Sequence, residues 1–107
     1  YPDFNRMIDE KIEAVAGDIA ETNQIFDEEQ KQRIIREVNI IINCAASVDF
    51  FMRLDQAVKI NYEGPLRILE MAKQCPHLEI YTHVSTCYVN CEKPGGYIEE
   101  KVYDYDQ

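Results

Sequence analysis

Small residues and hydrogen-bonding side chains occur together in three short segments of this sequence, each directly after an apolar stretch. The segments are residues 17–19, 43–47 and 84–88. Small residues let a bound cofactor come close to the main chain, and the hydroxyl, amide or carboxyl groups beside them can hydrogen-bond to it. The three segments are therefore the candidate ligand-contacting parts of the chain.

The apolar stretches before these segments have the patterns of β-strands. Residues 11–17 alternate between polar and apolar side chains, which predicts a short first strand. Residues 38–46 are apolar and β-branched at the centre, which predicts a strand buried on both faces of a parallel sheet. Residues 78–86 predict a third strand, with His83 packed in the core rather than acting as a base. Ligands of such sheets lie beyond the carboxyl ends of the strands, where all three segments would meet.

The stretches between the predicted strands have helical spacing. Residues 27–38 form an amphipathic pattern with Asp27 as N-cap. Residues 54–75 form a second pattern, in which Pro65 predicts either a kink or the start of a new helix. The order strand, helix, strand, helix, strand, then loop, predicts the α/β class, with right-handed crossovers joining parallel strands. This is half of a doubly wound parallel sheet, preceded by the end of a helix or loop in residues 1–10.

Length and charge exclude several classes of protein. The chain has 107 residues, enough for one small core, and 20 acidic residues against 11 Lys and Arg. No basic stripe could follow a phosphate backbone, so nucleic acid is excluded as a partner. No apolar run approaches the roughly 20 residues of a membrane helix, and the polar start is unlike a signal peptide. We therefore expect a soluble segment without direct membrane contact, and the missing initiator Met suggests that it starts within a longer protein.

The cysteines predict neither a disulfide framework nor a metal site. There are four of them, with no secretory context, so reduced thiols are expected. Cys87 and Cys91 have three residues between them, one more than the CxxC spacing of zinc and redox sites. We therefore predict no metal.

Four motifs in register resemble the extended short-chain dehydrogenase/reductase pattern, and most closely its fatty acyl-CoA reductase branch. The motifs are Gly17-Asp18, Asn43-Cys44-Ala45-Ala46-Ser47-Val48-Asp49-Phe50, Asn61-Tyr62-Glu63-Gly64 and His83-Val84-Ser85-Thr86-Cys87-Tyr88. One such motif would be weak evidence, whereas four in the right order and spacing are strong. The resemblance covers roughly residues 12–103 and implies a Rossmann-like fold that binds NADPH.

The resemblance also implies roles for particular residues around the dinucleotide. It places Asp18 and Ile19 at the adenine ring. It also counts Asn61 among the cofactor-binding residues, as a buried amide that ties neighbouring strand ends together. The main chain at the end of the second strand would line the pyrophosphate and the nicotinamide ribose; its residues are Cys44, Ala45 and Ala46.

Thr86 aligns with the hydroxyl that holds the substrate carbonyl oxygen, and Ser85 is its close second. Such a hydroxyl donates to the oxygen on which charge develops when a hydride reaches the carbonyl carbon. Without the family pattern, a structural interpretation would be favoured for these residues and for Asp18: a capped strand end and an ordinary turn.

Two parts of the family's site have no counterpart in the sequence. We predict that residues 1–107 form a single partial Rossmann domain, lacking the Gly-rich loop upstream and the catalytic Tyr-x-x-x-Lys helix downstream. Tyr97 and Lys101 have the spacing of that pair, but no sustained apolar stripe places them on a core-facing helix. We interpret the spacing as coincidental and expect the fragment alone to be inactive.

The resemblance implies a parent enzyme that reduces long-chain acyl-CoA with NADPH, through an aldehyde, to a fatty alcohol. Three alternatives stay open: a thioester reductase of the carboxylic acid reductase type, which stops at the aldehyde; a reductase related to 3β-hydroxysteroid dehydrogenases and sugar epimerases; and a non-catalytic Rossmann fragment. The expected location is intracellular, with the parent associated with a peroxisomal or endoplasmic reticulum membrane. The sequence predicts neither the oligomeric state nor the acyl chain length, and it does not decide between NADPH and NADH.

Overall fold

The computed structural model describes residues 3–93 and 95–103. Helices alternate with two strands along this part of the chain. The elements are α1 (Phe4–Lys11), α2 (Glu28–Glu37), β1 (Ile40–Asn43), α3 (Leu54–Val58), a π-helical turn (Lys59–Glu63), α4 (Gly64–Ala72), β2 (Ile80–His83) and a 3₁₀ turn (Cys87–Asn90).

The two strands pair in parallel, as the sequence predicts. Their register runs from Ile40 opposite Ile80 to Asn43 opposite His83. Parallel neighbours need a long crossover connection, and here the run of helix from α3 to α4 provides it. The structure is therefore of the mixed helix and strand kind, with the ends of β1 and β2 at the same edge of the sheet.

Helix α2 begins where its sequence signals predict. The Asp27 carboxylate accepts a hydrogen bond from the backbone N of Gln30 at 2.8 Å, which satisfies one free N–H of the first turn. Glu28 and Glu29 lie in the first turn and Arg36 in the last, both favourable for the helix dipole. The helix then ends at Glu37, just before β1.

The predicted interruption at Pro65 takes the form of a π-helical turn followed by a new α-helix. The backbone N of Gly64 donates to the carbonyl oxygen of Lys59, five residues earlier. Pro65 then lies in the first turn of α4, the part of a helix where a proline is best tolerated. Such π turns often accompany functional sites, and this one contains Asn61.

The prediction of a first strand over residues 11–17 is wrong for the described structure. Helix α1 runs to Lys11, and Ile12 then adopts extended angles of −118° and 128°. The residues that follow belong to no strand. Alternating side chains favour an extended backbone, but a strand also requires a ladder of hydrogen bonds to a neighbour. Among the described residues, only β1 and β2 form such a ladder.

The prediction that β1 is buried on both faces is also wrong for the described residues. Asn43 is buried, whereas Ile40 and Ile42 are 49% and 65% exposed. Successive strand side chains point to opposite faces, and α4 contacts β1. The buried apolar core is small, comprising Met71, Ala72 and Cys75. His83, expected in the core, is exposed.

An exposed ion pair attaches the extended segment after α1 to α2. The Nη1 and Nη2 of Arg33 donate to the two carboxylate oxygens of Glu13 at 2.5 and 2.6 Å. These hydrogen bonds, followed by the attraction of the positive charge, lower the pKa of Glu13 below its ordinary value of 4.5. A recess of about 200 Å³ lies beside this pair, lined by Val15, Ile34 and Val38 among others.

The first prediction concerns the close packing of Gly64. A Cβ on Gly64 would overlap the side chain of Ile19 and lie 2.9 Å from its carbonyl oxygen. Gly64→Ala should therefore destabilise the protein by about 1–3 kcal/mol, the usual cost of overpacking. Urea unfolding of the full-length protein measures the change. Gly95→Ala is the matched control, since nothing lies within 4 Å of its Cβ; equal stability of the two variants would contradict the packing argument.

The second prediction concerns pH. A lowered pKa means that ionised Glu13 stabilises the folded chain above its unfolded pKa, and that this contribution disappears as the pH falls through the folded value. Glu13→Gln should therefore lower the melting temperature at neutral pH, and the difference from wild type should close below 4.5. Glu100→Gln, which removes another exposed carboxylate, should show no such convergence. A difference that stays constant with pH would exclude the ion pair as its cause.

Candidate functional site

The ladder between the strands brings two of the three predicted segments together. Beyond the last paired residues, the backbone N of Val84 donates to the carbonyl oxygen of Asn43 at 2.9 Å. The loop after β1 and the loop after β2 therefore start side by side, as the predicted ligand edge requires. Residues 44–46 of the first loop and Ser85 and Thr86 of the second are exposed.

Asn61 fastens the loop after β1 to the π-helical turn. Its Oδ1 accepts from the backbone N of Ser47 at 2.8 Å, and its Nδ2 donates to the carbonyl oxygen of Ser47 at 3.1 Å. One amide therefore satisfies both main-chain groups of one residue. The expectation of a buried Asn61 joining two strand ends is corrected in two respects: the residue is exposed, and both bonds go to the loop of β1.

The third predicted segment forms a turn that rests on the start of α4. Asp18 Oδ1 accepts from the backbone N of Ala20 at 2.8 Å, and Asp18 N donates to the carbonyl oxygen of Ile25 at 3.0 Å. Ile19 packs against Gly64, which has no Cβ in the way. Asp18 thus has a structural role in its own turn, and its second carboxylate oxygen can still meet a ligand.

Thr86 caps the 3₁₀ turn that follows β2. Its Oγ1 accepts from the backbone N of Tyr88 at 3.2 Å. The capping role expected for a strand end is therefore present. In this cap the Thr86 Oγ1 acts only as an acceptor, so its hydroxyl proton stays available for donation to a ligand. Capping and oxyanion stabilisation are compatible in this geometry.

An aromatic pair joins the two loops further out. The rings of Phe50 and Tyr88 meet edge to face, with centroids 5.9 Å apart. They remain 80% and 63% exposed, and Val48 and Phe51 beside them are more exposed still. The result is an exposed apolar surface that we call the aromatic mouth (Val48, Phe50, Phe51 and Tyr88). Its member Tyr88 lies two residues after Thr86.

Asn43 begins one of the predicted ligand-contacting segments, but the sequence reasoning gave its side chain no separate role. It is only 5% exposed, and its Nδ2 has no hydrogen-bond partner among the described residues, while Oδ1 accepts weakly from Ala45 N at 3.4 Å. A buried donor without a partner costs free energy and calls for an acceptor nearby. The sequence did contain a signal for this role, because Asn43 is a polar residue at the end of an otherwise apolar strand. The Asn43 amide donor and the exposed main chain of residues 44–46 could both donate hydrogen bonds to a ligand. A dinucleotide, which is rich in oxygen atoms, is such a ligand.

Arg67 was missed by the sequence reasoning. Its guanidinium donates to the carbonyl oxygens of Ile19 and Glu21 and pairs with Glu63. Glu63 and Arg67 are four residues apart, and in the sequence such a spacing is typical of a solvated surface pair. The contact with the distant turn follows only from the packing of α4.

Tyr97 and Lys101 lie on no helix in the described stretch 95–103. Tyr97 is 91% exposed. Lys101 Nζ pairs with Glu99 at 2.6 Å and lies 5.2 Å from the ring centre of Tyr103. This geometry supports the interpretation of the Tyr-x-x-x-Lys spacing as coincidental, because a catalytic pair must face the cleft from a fixed helix.

Cysteines and acidic groups form no metal cluster in the part of the chain that the structure describes. The four thiols are free, and burial raises the pKa of Cys75. Across residues 3–93 and 95–103, no helix has the length and apolar character needed to cross a bilayer.

Comparison with known proteins agrees with this arrangement of parallel strands, crossover helices and open strand ends. The chain belongs to the NAD-binding family described as male sterility protein, which matches residues 1–107. A nicotinamide cofactor is the ligand of such a family, and the oxygen-rich ligand inferred from the strand ends agrees with it.

Several individual relatives of this chain are named as fatty acyl-CoA reductases, the branch that the motifs resemble. The chain is 38% identical over 101 residues to an alcohol-forming fatty acyl-CoA reductase of Simmondsia chinensis, covering 94% of the chain and 20% of the relative. It is 42% identical over 94 residues to a probable fatty acyl-CoA reductase 5 of Arabidopsis thaliana, covering 86% and 19%. Human fatty acyl-CoA reductase 1 is 37% identical over 102 residues, covering 95% and 19%. The resemblance inferred from the motifs is confirmed, and the chain spans about a fifth of these relatives.

The third prediction tests the contact between Asn61 and Ser47. Asn61→Ala removes both side-chain bonds to Ser47, so amide hydrogen exchange in peptides covering residues 44–50 should become about tenfold faster, as expected for lost hydrogen bonds. Asn23→Ala, in the exposed turn before α2, should leave exchange there unchanged. Equal protection in both variants would mean that the loop is held by something else.

Proposed function

We propose that this chain is part of the Rossmann-type cofactor domain of an NADPH-dependent fatty acyl-CoA reductase, which converts a long-chain acyl-CoA to a fatty alcohol. The observation that carries the proposal is the position of Thr86. Its hydroxyl caps the turn in the loop after β2, and this loop starts beside the loop after β1 that Asn61 holds. A donor beside a dinucleotide loop is the arrangement that carbonyl reduction requires.

The residues of this chain would hold the cofactor along one edge of the sheet. Asp18 and Ile19 meet the adenine, and the main chain of Cys44, Ala45 and Ala46 lines the pyrophosphate and the nicotinamide ribose. Asn61 belongs to the proposed cofactor-binding set through the loop after β1, which it holds by its two bonds to Ser47. The family supports a nicotinamide cofactor, and NADPH as that cofactor is part of the proposal. When bound, the reduced nicotinamide would supply one hydride, so the two reductions would consume two molecules of the cofactor in turn.

Thr86, assisted by Ser85, would hold the carbonyl oxygen during both reductions. In the first, the carbonyl carbon of the thioester gains a hydride, negative charge develops on its oxygen, and the C–S bond breaks to release CoA as a thiolate. In the second, the aldehyde carbon gains a hydride and its oxygen takes up a proton to become the alcohol. A hydroxyl donor fixed beside the oxygen lowers both barriers, because it stabilises this charge without reorganising.

The aromatic mouth suits an apolar substrate. Phe50 and Tyr88 join the two loops by their ring contact and expose most of their surface. Burying such rings against a hydrocarbon chain stabilises the complex by about 25 cal/mol per Å² of apolar area removed from water. A long acyl group reaching the Thr86 hydroxyl from this side would gain that stabilisation.

The domain proposal is that residues 1–107 form one partial cofactor domain. In this proposal, a Gly-rich phosphate loop upstream and a Tyr-x-x-x-Lys helix downstream complete the site, and Tyr97 is not the proton donor. The parent enzyme would reside inside the cell, at a peroxisomal or endoplasmic reticulum membrane, as the family resemblance implies.

The fourth prediction tests the role of Thr86 in the full-length protein. Thr86→Ala should lower kcat for palmitoyl-CoA reduction by about 100-fold or more, the usual loss when one oxyanion donor is removed. Tyr97→Phe should retain wild-type activity. NADPH oxidation gives the rate, and mass spectrometry identifies the product. Ser85→Ala is the matched control, for which a smaller loss is expected.

Each outcome of this experiment decides between functions. Alcohol as product supports the proposal, whereas product that stops at the aldehyde favours a thioester reductase. No reduction of acyl-CoA, with reduction of a sterol or sugar ketone instead, favours the dehydrogenase and epimerase relatives. A wild-type protein that reduces none of these would support the non-catalytic alternative. Loss of activity in Tyr97→Phe would overturn the interpretation of its spacing as coincidental.

A further inference from the structure

We propose that Arg67 is a positioning residue for the nucleotide end of the cofactor, which acts by holding the turn of residues 18–21 against α4. This inference rests on the proposed function, because the turn meets the adenine only in that proposal. Arg67 itself would not contact the cofactor. Its influence passes through the main chain of the turn.

The guanidinium of Arg67 reaches across from α4 to the carbonyl oxygens of two residues in the turn. Nη1 donates to the oxygen of Ile19 at 2.9 Å and to that of Glu21 at 3.1 Å. Nη2 donates to Glu63 Oε2 at 2.8 Å. The Arg67 side chain is only 22% exposed. These charge-assisted bonds are therefore better shielded from water than the other ion pairs of the described structure.

Arginine suits this position because its planar fork can serve three acceptors at once, whereas a lysine is a compact charge on a flexible stem. Glu63, one helical turn earlier, pairs with one arm of the fork and so fixes its direction. The other arm then meets the carbonyl oxygens of Ile19 and Glu21. The Gly64 contact with Ile19 sets the distance at which this geometry is possible.

The turn depends on such contacts because no ladder holds the segment before it. Residues 12–17 pair with no strand among the described residues. Asp18 and the residues beside it bond within their own loop, to Ala20 and Ile25. Glu13, earlier in the segment, pairs with Arg33 of α2, whereas the turn itself is linked to α4 by Gly64 and Arg67.

The same run of helix holds two parts of the candidate cofactor site. Asn61 fastens Ser47 in the loop after β1, and Arg67 fastens Ile19 and Glu21 in the turn. A dinucleotide that spans both loops needs them at a fixed separation. Loss of the Arg67 bonds would free only the turn of residues 18–21. The affinity for the nucleotide should therefore fall, while the geometry of hydride transfer near Thr86 should be retained.

The fifth prediction compares Arg67→Ala, Arg67→Lys and Arg6→Ala in the full-length protein. Arg6 is the matched control: it pairs with Glu10 four residues along a helix, and its side chain is 72% exposed. Calorimetry measures the Kd of NADPH and of AMP, which carries only the adenine half. Arg67→Ala should weaken both by about tenfold, as expected for lost bonds to a charged group. Arg67→Lys should recover part of the loss, and Arg6→Ala should match wild type.

At saturating NADPH, kcat for acyl-CoA reduction should stay within about twofold of wild type in Arg67→Ala, because only nucleotide binding is affected. An unchanged Kd for both nucleotides in a folded Arg67→Ala variant would overturn the inference, as would a loss confined to kcat. A wild type that binds NADPH but reduces no acyl-CoA would refute the proposed reaction and leave the Arg67 inference standing. A wild type that binds neither nucleotide would overturn both.

Discussion

The contacts that α4 and the π-helical turn make with two loops are the constraint on which the rest of this site depends. Gly64 lets the helix approach Ile19 closely, and Asn61 binds both main-chain groups of Ser47. The α-helical register alone would not bring the Gly64 N–H to the carbonyl oxygen of Lys59. The π turn therefore helps to position the site. It places Asn61 beside the loop after β1, and α4 begins directly after it with Gly64 packed against Ile19.

The sheet provides the second part of the framework. Pairing of β1 with β2 brings the hydroxyl residues after one strand next to the small residues after the other. The apolar face of Ile40, Ile42 and Ile80 stays substantially exposed in the described structure. Few of the described residues are buried, and both loops are held in part by hydrogen bonds from side chains to their main chain.

The chemistry of the site combines structural and ligand-directed roles in the same side chains. Thr86 accepts a bond from Tyr88 N, and Asp18 accepts one from Ala20 N, yet each keeps hydrogen-bonding capacity for a ligand. The bonds within each turn restrict the rotamer, and a restricted rotamer is what a preorganised donor or acceptor requires. A structural interpretation of these residues therefore does not compete with a functional one.

The sequence by itself determined the mixed helix and strand character, the two parallel strands within the predicted ranges 38–46 and 78–86, and the helix capped by Asp27. It also determined the interruption of the helix at Pro65 and the family. Periodicity, capping and turn signals are local, so they survive without tertiary context. Only the tertiary structure decided that residues 11–17 pair with no strand, that one face of β1 is open and that Arg67 reaches Ile19. Those outcomes depend on which neighbours are present and how closely two elements approach, and spacing along a chain does not encode that distance.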